Sequence, residues 1–155
     1  MDDTHINPFA FFCTPWFISA FAGWVSAQAI KMMTGLARTK RIDFLYLVST
    51  GGMPSAHSSL VCALFTSLGL TEGFDAPITM LAFAFAGITM FDAASVRRAA
   101  GHQAKVVNQM IQELFKAHRL SQTHLKELLG HTRKEVFAGM LLGVCVAIAV
   151  VKLMI

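Results

Sequence analysis

Charge is scarce in this sequence. Asp, Glu, Lys and Arg make up 14% of its 155 residues, against 55% hydrophobic residues. That balance excludes an ordinary soluble domain, which at this size could not bury so much apolar surface. Cysteine is scarce too, and Cys13, Cys62 and Cys145 fall far apart inside apolar stretches with no metal-ligand spacing. They are expected to be buried small hydrophobes. His118, His124 and His131 lack the short paired spacing of a zinc site, so no metal is expected. No basic tract is long enough, or interleaved with aromatics, to bind nucleic acid. Internal repeats and low-complexity tracts are absent. The chain also lacks the basic start and small-residue cleavage pattern of a signal peptide, since Asp2 and Asp3 come first; the first apolar stretch is expected to be retained.

What the sequence does have is long apolar runs. Spanning a bilayer takes about 20 mostly apolar residues per helix, and four stretches come close: residues 9–30, 55–70, 77–94 and 136–155. The second is short, so it tilts or enters the membrane only partway. Between the third and fourth, Val106, Val107, Met110, Ile111, Leu114 and Phe115 recur at three- and four-residue spacing, with Lys105, Gln109, Gln112, Glu113 and Lys116 between them. This periodicity predicts an amphipathic helix in the segment 102–129, on the membrane surface or across the mouth of the bundle. Ser121 to Thr123 breaks it, and Gly130 closes it before His131 opens the last helix. The fold class expected is all-α: a single membrane domain of about four transmembrane helices plus an amphipathic interfacial helix.

Of the thirteen Lys and Arg residues, all but Lys152 lie in the two segments joining stretches one to two and three to four. An up-and-down path puts both segments on one side, and the positive-inside tendency makes that side cytoplasmic, in the plasma (inner) membrane. Asp2, Asp3, Glu72 and Asp75 fall on the other. A bundle this small is also a candidate for pairing with itself.

Helix ends meet at the basic face. Lys31 and Arg38 lie at the end of helix one, Ser55 and His57 at the start of helix two after the Gly51-Gly52 break and Pro54. Asp92, Arg97 and Arg98 lie at the end of helix three, and His131 and Glu135 at the start of helix four. Polar groups at membrane depth are costly and ask for a reason. Cations, a hydroxyl, helix N-terminal N–H groups and two imidazoles are what an oxyanion site needs. Glu135 follows His131 by one helical turn, a spacing that allows the carboxylate to orient the ring. The blander reading of the basic residues is anchoring to anionic headgroups. Gly139 and Gly143 form a small-xxx-small pattern, the mark of a helix contact.

The run Thr50-Gly51-Gly52-Met53-Pro54-Ser55-Ala56-His57-Ser58 and the run Asp92-Ala93-Ala94-Ser95-Val96-Arg97-Arg98-Ala99-Ala100-Gly101 resemble the divergent branch of the type 2 phosphatidic acid phosphatase family, relatives of acid phosphatases and vanadium-dependent haloperoxidases. The resemblance covers nearly the whole chain. Lys31 and Arg38 match the first motif, with Thr39 in place of its proline; Pro54-Ser55-Ala56-His57 matches the second, with alanine in place of glycine. The third looks split. Ser95 with Arg97 or Arg98 resembles its beginning, His131 to Gly139 its end, and the amphipathic segment is an insertion between them.

The resemblance implies a histidine nucleophile at His131, a general acid at His57, and Glu135 in place of the family's orienting aspartate. It implies phosphate contacts from Lys31, Arg38, Ser55 and an arginine at 97 or 98, and no cofactor. His102 is a rival nucleophile that lies closer to the arginines but lacks a carboxylate at the expected spacing. The implied partner is a lipid phosphate or diphosphate, hydrolysed through a phosphohistidine. The alternatives are a non-catalytic anionic-lipid-binding protein that keeps the oxyanion pocket, and a scaffold whose basic face recruits a partner.

Overall fold

The computed structural model describes residues 9–40, 52–114 and 131–155, with the side chains of Arg38, Thr39, Arg97 and residues 112–114 left aside. A 3-10 turn at Ala10–Cys13 leads into α1, Pro15–Thr39, followed by α2, Ala56–Glu72, and α3, Pro77–Phe91. A π-helical segment, Asp92–Val96, joins α3 without a break to α4, Arg97–Leu114; the last helix, α5, is Arg133–Met154. Among the described residues there is no strand, and the fold is an all-α membrane helix bundle.

Punctuation in the sequence explains the helix starts. Thr14 caps α1 by accepting from the Phe17 N–H, with Pro15 at the first helical position, where a missing N–H is harmless. Ser55 caps α2 by accepting from the Ser58 N–H. Pro54 therefore lies just outside α2, not in its first turn. Gly52 sits at φ +93°, a backbone setting that L side chains rarely adopt.

The helices extend beyond the apolar stretches that announce them. α1 runs on to Thr39, carrying Lys31 and the Arg38 backbone inside the helix. The stretch 77–94 does not end at its polar boundary, because the π-helical turn lets the helix continue past Asp92 into the basic segment. The amphipathic helix accordingly starts at Arg97 rather than 102. The expected break at Ser121 to Thr123, the helix end at Gly130, and His118 and His124 lie outside the described residues.

α2 is the hub: it packs against α1, α3 and α5, and α1 also packs against α5. Small residues make these contacts. Ala27, Ala56, Ala63 and Ala147 are buried, and a methyl added at Gly139 or Gly143 would collide with the backbone carbonyl oxygen of Ser55 or Ser59. Ser59 Oγ donates to the Gly23 carbonyl at 2.8 Å, tying α1 to α2 through a hydroxyl. On the other flank Val61, Cys62 and Ala86 form a cluster with Met90, Met140 and Val144.

The large apolar side chains point the opposite way. Leu81, Phe83, Phe85 and Ile88 of α3, Phe21 and Val25 of α1, and Phe137 and Leu141 of α5 are exposed. Small and hydroxyl-bearing residues inside with bulky apolar ones outside is the pattern of helices solvated by lipid. Pro77–Ile111 and Arg133–Met154 are each long and apolar enough to cross a membrane. Cys62 is buried as expected, but Cys13 and Cys145 are exposed, because each lies on an outward, lipid-directed face where a thiol needs no partner.

Candidate functional site

The start of α5 builds a compact polar arrangement. Thr132 is the N-cap of α5: its hydroxyl accepts from the Glu135 N–H, and the Glu135 carboxylate accepts from the Thr132 N–H, a reciprocal capping box. The same carboxylate oxygen, Oε2, lies 3.0 Å from Nδ1 of His131. A carboxylate can only accept, so Nδ1 is the donor of this pair and Nε2 is the ring nitrogen on the far side from it. His131 therefore precedes the cap instead of opening the helix, and is anchored from its C-terminal side.

His131 is 2% exposed, and among the described residues its Nε2 is enclosed without a hydrogen-bond partner. Buried polar atoms are nearly always paired, so this imidazole nitrogen stands out, as do Ser19 Oγ, Ser67 Oγ and Thr79 Oγ1, which also lack a partner among the described residues. Lys31, 4% exposed on α1, is electrostatically coupled to Glu135. Ser55 closes the arrangement: its N–H donates to the Glu135 carbonyl at 3.0 Å, and its buried Oγ accepts from the Ser58 hydroxyl at 3.0 Å. Gly139 permits this, since any side chain there would displace the Ser55 carbonyl.

The structure thus gathers Lys31, Ser55, His131 and Glu135. His57 sits on the first turn of α2, two residues past Ser55, with its side chain exposed. Arg38 lies in the last turn of α1, seven residues after Lys31 and so close to the same helix face. Arg97 starts α4, Arg98 is exposed, and His102 is exposed farther along α4. The π-helical segment carrying Asp92 and Ser95 packs against α5, which brings the two halves of the split motif onto neighbouring elements. Within it, Ser95 Oγ donates to the Phe91 carbonyl.

Residue-by-residue reading of the sequence misses Thr132 and the serines of α2. The Thr132-x-x-Glu135 spacing is itself the capping-box signature and could have revealed Thr132. Buried Ser58, Ser59 and Ser67 carry no such signal. Because Thr132 holds both ends of Glu135, Thr132→Ala is expected to cost about 0.5–2 kcal/mol. Thermal unfolding in detergent measures it, and Thr132→Ser should restore most of the loss.

Comparison with known proteins adds a lineage. YuiD, an uncharacterized membrane protein of Bacillus subtilis (strain 168), is 40% identical over 138 residues, covering 82% of this chain and 87% of its own length. No solved structure matches. Residues 12–146 match the Divergent PAP2 family across the helices that carry Lys31, Ser55, His131 and Glu135, and the chain belongs to that family.

Proposed function

We propose that the protein binds a lipid phosphate at the face where α5 begins and hydrolyses its monoester or diphosphate through a phosphohistidine. The observation that carries this is the enclosed Nε2 of His131, without a partner among the described residues and set opposite an Nδ1 held by Glu135. In the reaction, Nε2 attacks phosphorus and the bond to the leaving oxygen breaks. His57 donates a proton to that oxygen. Water then attacks the phosphohistidine, giving up a proton to His57 and returning Nε2 to its starting state.

The buried ammonium of Lys31 offsets charge on the phosphoryl oxygens, with Arg38 and one of Arg97 and Arg98 as further cationic contacts. Ser55 lines the same corner. Glu135 keeps the ring in the tautomer that leaves Nε2 free and stabilises the cationic ring formed on attack.

A second reading, lipid-phosphate binding without turnover, is favoured by one observation: the proposed acid, His57, has an exposed side chain while His131 is enclosed. Phosphate release by the purified protein in mixed micelles, over a panel of lipid monophosphates and diphosphates, separates the two. Hydrolysis predicts release that falls by about 10²–10⁴ in His57→Ala, the usual weight of a general acid. Absence of release from every substrate by folded protein, with saturable lipid-phosphate binding, would leave only the binding reading.

A further inference from the structure

The end of the bundle remote from His131 carries a cavity with a different chemistry. A groove of about 600 Å³ runs between α1 and α2, in the range of small-molecule sites. Phe17, Ala20 and Phe21 line it on one side, Leu60, Leu64 and Leu68 on the other. Its polar edge is formed by Thr14 and Glu72. Trp16 stands at that edge too, its indole N–H donating to Thr71 Oγ1 at 2.6 Å. An indole bonded to a hydroxyl beside a helix terminus is characteristic of the membrane–water interface.

The length of the groove identifies its occupant. From Glu72 to Leu60 is twelve residues of α2, about 18 Å at 1.5 Å per residue. One leaflet contributes half of a hydrocarbon core of about 30 Å. The groove is therefore the length of a single lipid chain, open at one end to a headgroup. Its mouth is acidic: Glu72 makes no ion pair among the described residues, and no basic side chain lines the groove. The positive end of the α1 dipole lies at the same mouth, next to Thr14.

We propose that this groove is a lipid site in the leaflet opposite His131, holding one acyl chain of an amine-headgroup phospholipid whose ammonium pairs with Glu72. An anionic headgroup without an amine is disfavoured there by the same carboxylate. The site is separate from the phosphate chemistry at His131 and does not depend on it.

Trp16 is a built-in reporter, because the chain holds two tryptophans and Trp24→Phe leaves it alone. The full chain with that substitution is reconstituted in phosphatidylcholine vesicles containing rising fractions of phosphatidylethanolamine brominated on its acyl chain. Quenching of Trp16 is expected to saturate at a mole fraction about fivefold lower than with brominated phosphatidylcholine or phosphatidylglycerol, the effect of one partly screened ion pair. Glu72→Gln should erase that preference. Ala20→Leu should remove the saturable component by filling the groove. Quenching proportional to mole fraction and identical for all three headgroups would overturn the proposal. So would quenching that depends on protein concentration instead of lipid composition, which would put a second copy of the chain in the groove.

Discussion

Replacing His131 with glutamine is expected to reduce phosphate release from lipid phosphates by 10³-fold or more while leaving the bundle folded. The size follows from what a nucleophile contributes when the remaining groups still bind substrate. Glutamine fills similar space and can still donate to Glu135, so the capping box at Thr132 persists and the fold does not depend on the imidazole. A companion substitution, Glu135→Gln, keeps shape but changes chemistry. Its amide no longer fixes the proton on Nδ1, and turnover should fall on the order of 10⁴-fold, as when an orienting carboxylate is made an amide. Comparable turnover in His131→Gln and the wild type, measured as released phosphate, would remove His131 from the chemistry.

The second large effect is mechanical. Gly143 meets the Ser59 carbonyl and Gly139 the Ser55 carbonyl, both backbone atoms that cannot swing aside as a side chain does. Gly143→Ala should destabilise the bundle by about 1–3 kcal/mol through overpacking, and Gly143→Leu by more. Gly139→Ala should do the same and also disturb the site, because the displaced carbonyl belongs to the residue whose N–H donates to Glu135. Unfolding followed in detergent tests the first effect, and phosphate release at a temperature where the variant is folded tests the second. Alanine at both positions without loss of stability would mean that α2 and α5 do not approach as closely as described.

The packing of α2 on α5 explains why a short, polar-rich helix can sit at the centre of a membrane protein. Ser55, Ser58 and Ser59 are fully buried, and in lipid their hydroxyls need partners. Ser58 and Ser59 find them in Ser55 Oγ and the Gly23 carbonyl. Glycine and alanine opposite bring backbones close enough for such bonds to form. The apolar bulk of α3 then faces the lipid instead of a core.

Much of this is legible in the residues alone. The apolar stretches announce α1, α2, α3 and α5, and the four-residue spacing of His131 and Glu135 announces their 3.0 Å contact, although His131 makes it from outside the helix, before the Thr132 cap. The small-xxx-small pair Gly139 and Gly143 reads as a helix contact, though only the structure says that the partner is α2 of the same chain. Other features have no sequence signal. The π-helical segment at Asp92–Val96, which packs against α5, carries the helix past polar residues that would otherwise end it. The Ser55 N–H to Glu135 carbonyl bond joins residues 80 positions apart, where no local pattern reaches. Cys13 and Cys145 show the converse: buried by composition, they are exposed because the outside of this bundle is apolar.

The most direct test of the phosphate chemistry is to trap the intermediate. Protein mixed for a single turnover with a lipid phosphate labelled on phosphorus, quenched in alkali and digested, should yield an acid-labile, alkali-stable phosphohistidine on the peptide containing His131. The label should persist longer in His57→Ala if His57 also activates the water. Label on a different residue, or released phosphate with no histidine adduct at any time point, would contradict the assignment of Nε2 of His131 as the phosphate-accepting atom.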